Sequence, residues 1–353
     1  MRAFKKILSN FLVPVISILL ALFVGCIIMV AMGKDPFEAL KFLFVGAFGN
    51  KASIGTTLAK STPLIFTGIC ACFAYKCGMI NLGGEGQFIM GAVVGFLTAH
   101  CLDLNGFAGI VITLIASVAA GAVWALIPGV LKISRGQNEM IITIMMNYIA
   151  TLFMGVVYTN WFRDETVPQT VQVNDSIKLP AVIHGMRFTW AFIIAVVVAI
   201  ACYYFLYWTS TGFKMRAVGF NKTASFFNGF KVNKLLILSF VISGAIAGLG
   251  GGAELLGTQF RLINGFGSGY GFTGISIALI GQLHPISTVI VAIFFAALEA
   301  GSMTMQAATG VPTSVSDIIQ ALVIVFSVAG MALTGLPEFE DFKNSILKRK
   351  KEG

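Results

Sequence analysis

Long uncharged runs separated by short polar segments dominate the chain. The first, Phe11 to Gly33, follows Arg2, Lys5 and Lys6 and lacks an A-x-A cleavage pattern, so it is expected to be an uncleaved first span rather than a signal peptide. Spanning a bilayer takes roughly 20 apolar residues in a helix. That length predicts spans at 12–32, 54–74, 79–99, 107–131, 138–158, 189–208, 235–256, 269–283, 285–303 and 315–335. The eighth is short, and its boundary with the ninth is set at His284-Pro285. The pattern thus predicts an all-α, polytopic membrane helix bundle of about ten spans, with eight or nine as the alternatives.

Charge orients the bundle. With ten spans and both termini cytoplasmic, the inner segments hold Lys76, Lys132 and Arg135, then Lys214, Arg216, Lys222, Lys231 and Lys234 without an acid between them. The tail adds Lys343, Lys348, Arg349, Lys350 and Lys351. The long outer loop 159–188 balances Arg163, Lys178 and Arg187 against Asp164, Glu165 and Asp175. The loop 33–53, with Lys34, Lys41 and Lys51, runs against the bias, which otherwise follows the positive-inside rule.

Composition narrows the class. Charged residues form 11% of the 353, against roughly 25% in a soluble domain, and hydrophobic residues reach 57%. The net charge of +9 sits in interhelical segments rather than in an aromatic-interleaved stripe, which argues against nucleic-acid binding. Cys26, Cys70, Cys72, Cys77, Cys101 and Cys202 read as small hydrophobes, and His100, His184 and His284 are dispersed, so no metal site is expected. No polar stretch is long enough for a soluble core. The only Gly-Lys pair, Gly33-Lys34, is followed by Asp35, so there is no P-loop; neither G-x-S-x-G nor H-E-x-x-H occurs. The chain is expected to be neither an ATPase nor another enzyme.

Three stretches carry the candidate chemistry. In Gly78–Ala92, Gly83, Gly84 and Gly86 strip side chains from one turn around Glu85 and Gln87, with Asn81 just before. Such a helix packs closely or breaks, and Glu85 must face protein or a watery path. The second stretch, Gly265–Gly274, reads either as a plain turn or as a flexible re-entrant segment leading into a short helix. Asn147 and Tyr148, expected deep enough to need partners, join Glu139, Glu254, Glu299 and Asp317 as polar groups in or at spans. Asn81, Gly83, Gly84, Glu85, Gln87, Asn147, Tyr148, Glu254 and Glu299 are path or substrate candidates, with close glycine-lined packing, helix–helix bonding or a solvated rim as the alternative. The third, the inner loop 209–234, interleaves five cations with Phe213, Phe220, Phe226, Phe227 and Phe230. A short amphipathic helix around Lys222–Asn228 is expected to offer Phe226 and Phe227 to a partner protein or to headgroups.

These residues, with Gly136–Ala150, Arg216–Ala224 and Gly271–Pro285, resemble bacterial ABC-importer permeases of the family serving branched-chain amino acids, ribose-type sugars and nucleosides. The form Asn-Leu-Gly-Gly-Glu-Gly-Gln at 81–87 is similar to the nucleoside-type branch. The resemblance runs in order from about residue 50 to 335. It implies a bacterial plasma-membrane pore of two permeases (a paralogue or a second copy), ATP-binding subunits below, and a solute-binding lipoprotein or periplasmic protein outside. ATP and Mg would sit on the partner, with no cofactor on this chain. Loop 212–230 would be the coupling segment, matching the family at Arg216, Gly219, Asn221, Ala224 and Gly229. Phe226-Phe227-Asn228 and Gln282-Leu283 depart from it. The implied mechanism is alternating access driven by the partner's ATP hydrolysis; the alternative is a proton- or ion-coupled secondary transporter with Glu85 as the proton site.

Overall fold

The computed structural model describes residues 2–164, 167–183 and 185–334. Glu165, His184 and the C-terminal tail, with its expected cytoplasmic location, lie outside the described residues. Among the described residues thirteen helices run in order: α1 (Arg2–Ala31), α2 (Pro36–Phe48), α3 (Lys51–Lys76), α4 (Gly84–Cys101), α5 (Gly106–Arg135), α6 (Glu139–Val156), α7 (Trp190–Trp208), α8 (Ser210–Phe220), α9 (Lys222–Phe227), α10 (Val232–Glu254), α11 (Tyr270–Ile280), α12 (Pro285–Thr309) and α13 (Ser314–Thr334). Among the described residues there is no β-sheet, only isolated bridges such as Gln169 with Ile263.

Among the described residues six helices are long and apolar enough to cross a membrane: α3, α5, α7, α12, and α6 and α10, the last two each extended by a π-turn. Parts of α1 and α13, and α11, are shorter apolar helices. Exposed Trp190 and Trp208 mark the two ends of the 19-residue α7, which at 1.5 Å per residue spans about 28 Å, close to a hydrocarbon core between aromatic belts.

The described residues form two bodies, 2–47 with 298–334, and 48–297. In the first, α1 packs on α13 with Gly25 over Ile319. Here α2 occupies part of the expected loop 33–53. Asp35 accepts from the Phe37 N–H at 2.8 Å, Pro36 takes the first helical position, and apolar residues follow. The three lysines had disguised this helix as loop.

In the second body α10 is the hub, packed on α5, α4 and α3. Its run Ser243-Gly-Ala-Ile-Ala-Gly-Leu-Gly-Gly-Gly lets backbones touch. A Cβ at Gly248 would strike the carbonyl of Ser117 and come within 2.9 Å of the Gly121 Cα, and one at Gly251 would strike the Phe88 carbonyl. In lipid, where apolar burial drives little, such small-residue contact lets van der Waals packing hold helices together.

The third expected span starts late. Residues 79–83 are not helical, and α4 begins only at Gly84.

Candidate functional site

The break before α4 is built by side-chain amides. Asn81 Oδ1 accepts from the Gly83 N–H at 2.9 Å, a turn geometry that competes with helix. Asn81 Nδ2 donates to Gln87 Oε1 and to Ser243 Oγ, each at 2.9 Å, and Gln87 Nε2 returns a bond to Asn81 Oδ1 at 3.1 Å. Ser243 Oγ in turn donates to the Cys70 carbonyl at 2.8 Å. Asn81 and Gln87 are 0% and 1% exposed, so their polar atoms are spent inside the protein. Both are path or substrate candidates, and their side-chain bonds hold the broken backbone in place.

Asn147 works the same way from α6. Its Oδ1 accepts from the Gly86 N–H and its Nδ2 donates to the Leu82 carbonyl, both at 2.8 Å. Gly86 is one of the first four helical amides of α4, which have no partner within the helix, so Asn147 caps α4 from a neighbour. A Cβ at Gly86 would lie 2.9 Å from the Asn147 Cα, so the glycine permits the contact. Tyr148 was expected to be deep and partnered; it is 69% exposed, on the outward side of α6 beside Met145 and Leu152. The correction is geometric: adjacent helical residues point about 100° apart, and only Asn147 faces α4.

Glu85 differs from its neighbours. It is only half-buried, and its Oε2 accepts from the Gly269 N–H at 3.0 Å, with the Gly271 amide also bonded to it. Gly265, Gly267 and Gly269 all have left-handed φ, near 75–81°, and carry the chain to the start of α11. Phe266 and Tyr270 pin that segment on Phe88, with ring centroids 5.9 and 5.8 Å away. At Gly271 any Cβ would come within 2.6 Å of the Glu85 backbone N. The two glycine-rich stretches of the sequence therefore meet at one carboxylate, which serves the N-terminus of α11 as a cap supplied by α4.

The remaining candidates lie on other helices. Glu254 is 3% exposed where α10 passes into its π-turn, and accepts from Gln259 Nε2 at 3.3 Å. Glu139, at the start of α6, is clasped by Lys132 of α5 at 2.7 Å. Glu299, half-buried on α12, belongs to the first body. Among the described residues no group of three metal-binding side chains occurs.

The loop 209–234 folds into two helices, α8 and α9, where only the second was expected. Thr209 caps α8, accepting from the Gly212 N–H at 3.0 Å, and Asn221 caps α9, accepting from the Ala224 N–H at 2.9 Å. Gly219 sits against the Lys76 carbonyl, and Gly78 lies 3.2 Å from it by its absent Cβ, so α8 is clamped to the end of α3. Arg216 turns inward: its Nε donates to the Leu206 carbonyl at 2.9 Å and its guanidinium lies 4.7 Å from the Tyr207 ring centre. Arg216 thus anchors α8 on α7. Phe226 and Phe227 are 66% and 82% exposed, Ala224 and Gly229 are exposed, and an open cleft between α8 and α9 is lined by Phe213, Phe220 and Phe230.

Comparison with known proteins places this architecture. A sequence model of the branched-chain amino acid transport system permease component family matches residues 53–328. The guanosine ABC transporter permease protein NupP of Bacillus subtilis is 34% identical over 334 residues, covering 93% of this chain and 96% of that protein. The nucleoside ABC transporter permease protein NupB of Lactococcus lactis is 32% identical, covering 96% and 97%. The glucose ABC transporter permease protein TsgB13 of Haloferax volcanii is 32% identical, covering 89% and 86%. The chain belongs to this family of ABC transporter permeases and is a multi-pass membrane protein.

Proposed function

We propose that this family member imports nucleosides as the membrane-spanning half of an ATP-driven transporter in the bacterial plasma membrane. Chain-long similarity to two nucleoside-type permeases supports the substrate class, and it is the observation that carries the reading. The similarly sized match to a glucose permease favours a sugar as the second reading.

In this reading ten helices cross the bilayer with both termini inside, and a second permease completes the pore. An extracytoplasmic binding protein delivers solute to the outer segments. The energy comes from ATP and Mg on a partner subunit that grips Phe226 and Phe227. Because α8 is clamped to α3 through Gly219 and to α7 through Arg216, movement at α9 reaches the helices that flank Glu85.

Uptake of labelled guanosine, uridine and glucose by cells with and without the gene tests this. Loss of nucleoside uptake alone in the deletion is the expected result. Loss of glucose uptake alone would transfer the assignment to sugars, and no loss of any of the three would refute it.

A further inference from the structure

The helix α11 has 11 residues and, at 1.5 Å each, reaches only about 16 Å. It ends at the turn holding His284, beside Lys76 at the end of α3. Its start, and the irregular backbone Gly265–Gly269 before it, therefore lie near the middle of a hydrocarbon core roughly 30 Å thick.

One face of α11 is buried, with Gly271 on Glu85 and Gly274 on Thr67. The opposite face is open, and the half-exposed Glu85 carboxylate borders it at the helix start through the Gly269 N–H. Ser268 and Gly269 are exposed, Phe272 is 49% exposed, and Thr273 and Ser276 are half-buried on the same side. Non-helical backbone with hydroxyl side chains at membrane depth is tolerated against protein or water, not against lipid.

Electrostatics then selects the occupant. A half-helix starting in mid-membrane ordinarily offers its amides to an anionic group of a solute. Here the Glu85 carboxylate already holds that place, accepting from the Gly269 N–H at 3.0 Å. An incoming phosphate or carboxylate would meet a negative group where it needs a positive one. A neutral solute would find acceptor oxygens, hydroxyls that donate or accept, and the Phe272 ring for stacking.

We propose that Glu85 and the open face of α11 (Ser268, Gly269, Phe272, Thr273) form a ledge that contacts a neutral, hydroxyl-rich solute and turns anionic ones away. The proposal rests on the permease reading and names the part of this chain that the solute touches.

Two measurements on the full complex in membranes test it. First, Thr273→Cys is labelled with a membrane-impermeant thiol reagent in right-side-out and everted vesicles, with wild type as the blank and Ile200→Cys on α7 as the lipid-facing control. Labelling at least tenfold faster than the control in one orientation is expected, slowed by whichever of guanosine, uridine or glucose wild type transports. A rate equal to the control in both orientations, or fast labelling with no protection by the transported solute, would overturn the ledge. Second, Glu85→Gln keeps an oxygen that accepts from Gly269 but removes the charge. Inhibition of transport by the monophosphate of the transported nucleoside, or glucose 6-phosphate for glucose, should strengthen at least tenfold relative to wild type; unchanged inhibition would overturn the exclusion role. If wild type transports none of the three, the substrate reading fails separately, and the labelling rates still decide whether the face is watery.

Discussion

The carboxylate of Glu85, in the first turn of α4, accepts a hydrogen bond from the backbone N–H of Gly269, 184 positions further along the chain, at 3.0 Å. Around it, uncharged amides do the holding: Asn81 with Gln87, and Asn147 with Gly86 and Leu82. Structural bonding and the open face are thus divided between different side chains, and substitutions should separate them.

Asn147→Leu removes both bonds and leaves the buried Gly86 amide without its acceptor. An unsatisfied buried group costs about 1–3 kcal/mol, so the variant should melt several degrees lower in detergent. Tyr148→Phe, at an outward position, should melt with wild type. An equal drop for both would show that the cap is unimportant.

At the hub, Gly248→Leu forces a side chain into the Ser117 and Gly121 backbone of α5. Overpacking typically costs about 1–3 kcal/mol, and here the obstacle is rigid backbone, so a low yield of folded protein is expected. Gly155→Ala, whose new Cβ would meet only the Tyr158 hydroxyl at 4.0 Å, should be silent. Size-exclusion profiles of the two variants make the comparison.

The inner loop contains an anchor and, in the proposed function, a docking face. Phe226→Glu with Phe227→Glu should abolish recovery of the ATPase subunit while the permease melts normally. Arg216→Ala should do the converse in part, lowering the melting temperature through loss of its bond to Leu206 and of its packing on Tyr207. Full ATPase recovery with the double variant would remove the docking role.

Burial pushes the His284 imidazole pKa below its ordinary 6.5, and the Lys76 ammonium adds to the shift. Folded His284 therefore binds its proton less readily than unfolded His284. Its contribution to stability is complete above about pH 6.5 and is lost as pH falls from there towards the lowered folded value. The group is half-exposed, so the effect should be modest. His284→Phe, which keeps a ring against Tyr203 and Tyr207, should flatten melting temperature between pH 7.5 and 5.5 relative to wild type.

Hydropathy made the helices legible, because twenty apolar residues without a charge have few other uses in a chain this short of polar surface. It misplaced the start of α4, since the break at 79–83 depends on Ser243, 162 positions from Asn81, and no local pattern contains that bond. The inward turn of Arg216 was hidden for a related reason: a cation in an aromatic loop looks the same in sequence whether it turns outward to a partner or inward to Leu206. The open face of α11 was partly visible as glycines. Its hydroxyls at Ser268, Thr273 and Ser276 carry no distinct signal in sequence, because Ser and Thr are common in membrane helices, where they bond back to their own backbone, as Ser276 does to Phe272.

The most direct test is transport by the complete complex, with its ATPase and binding protein, reconstituted in liposomes. Labelled guanosine should accumulate only when MgATP reaches the ATPase side, and should persist when ionophores collapse proton and sodium gradients. Accumulation that follows an imposed proton gradient without ATP would contradict the account and make the chain a secondary carrier.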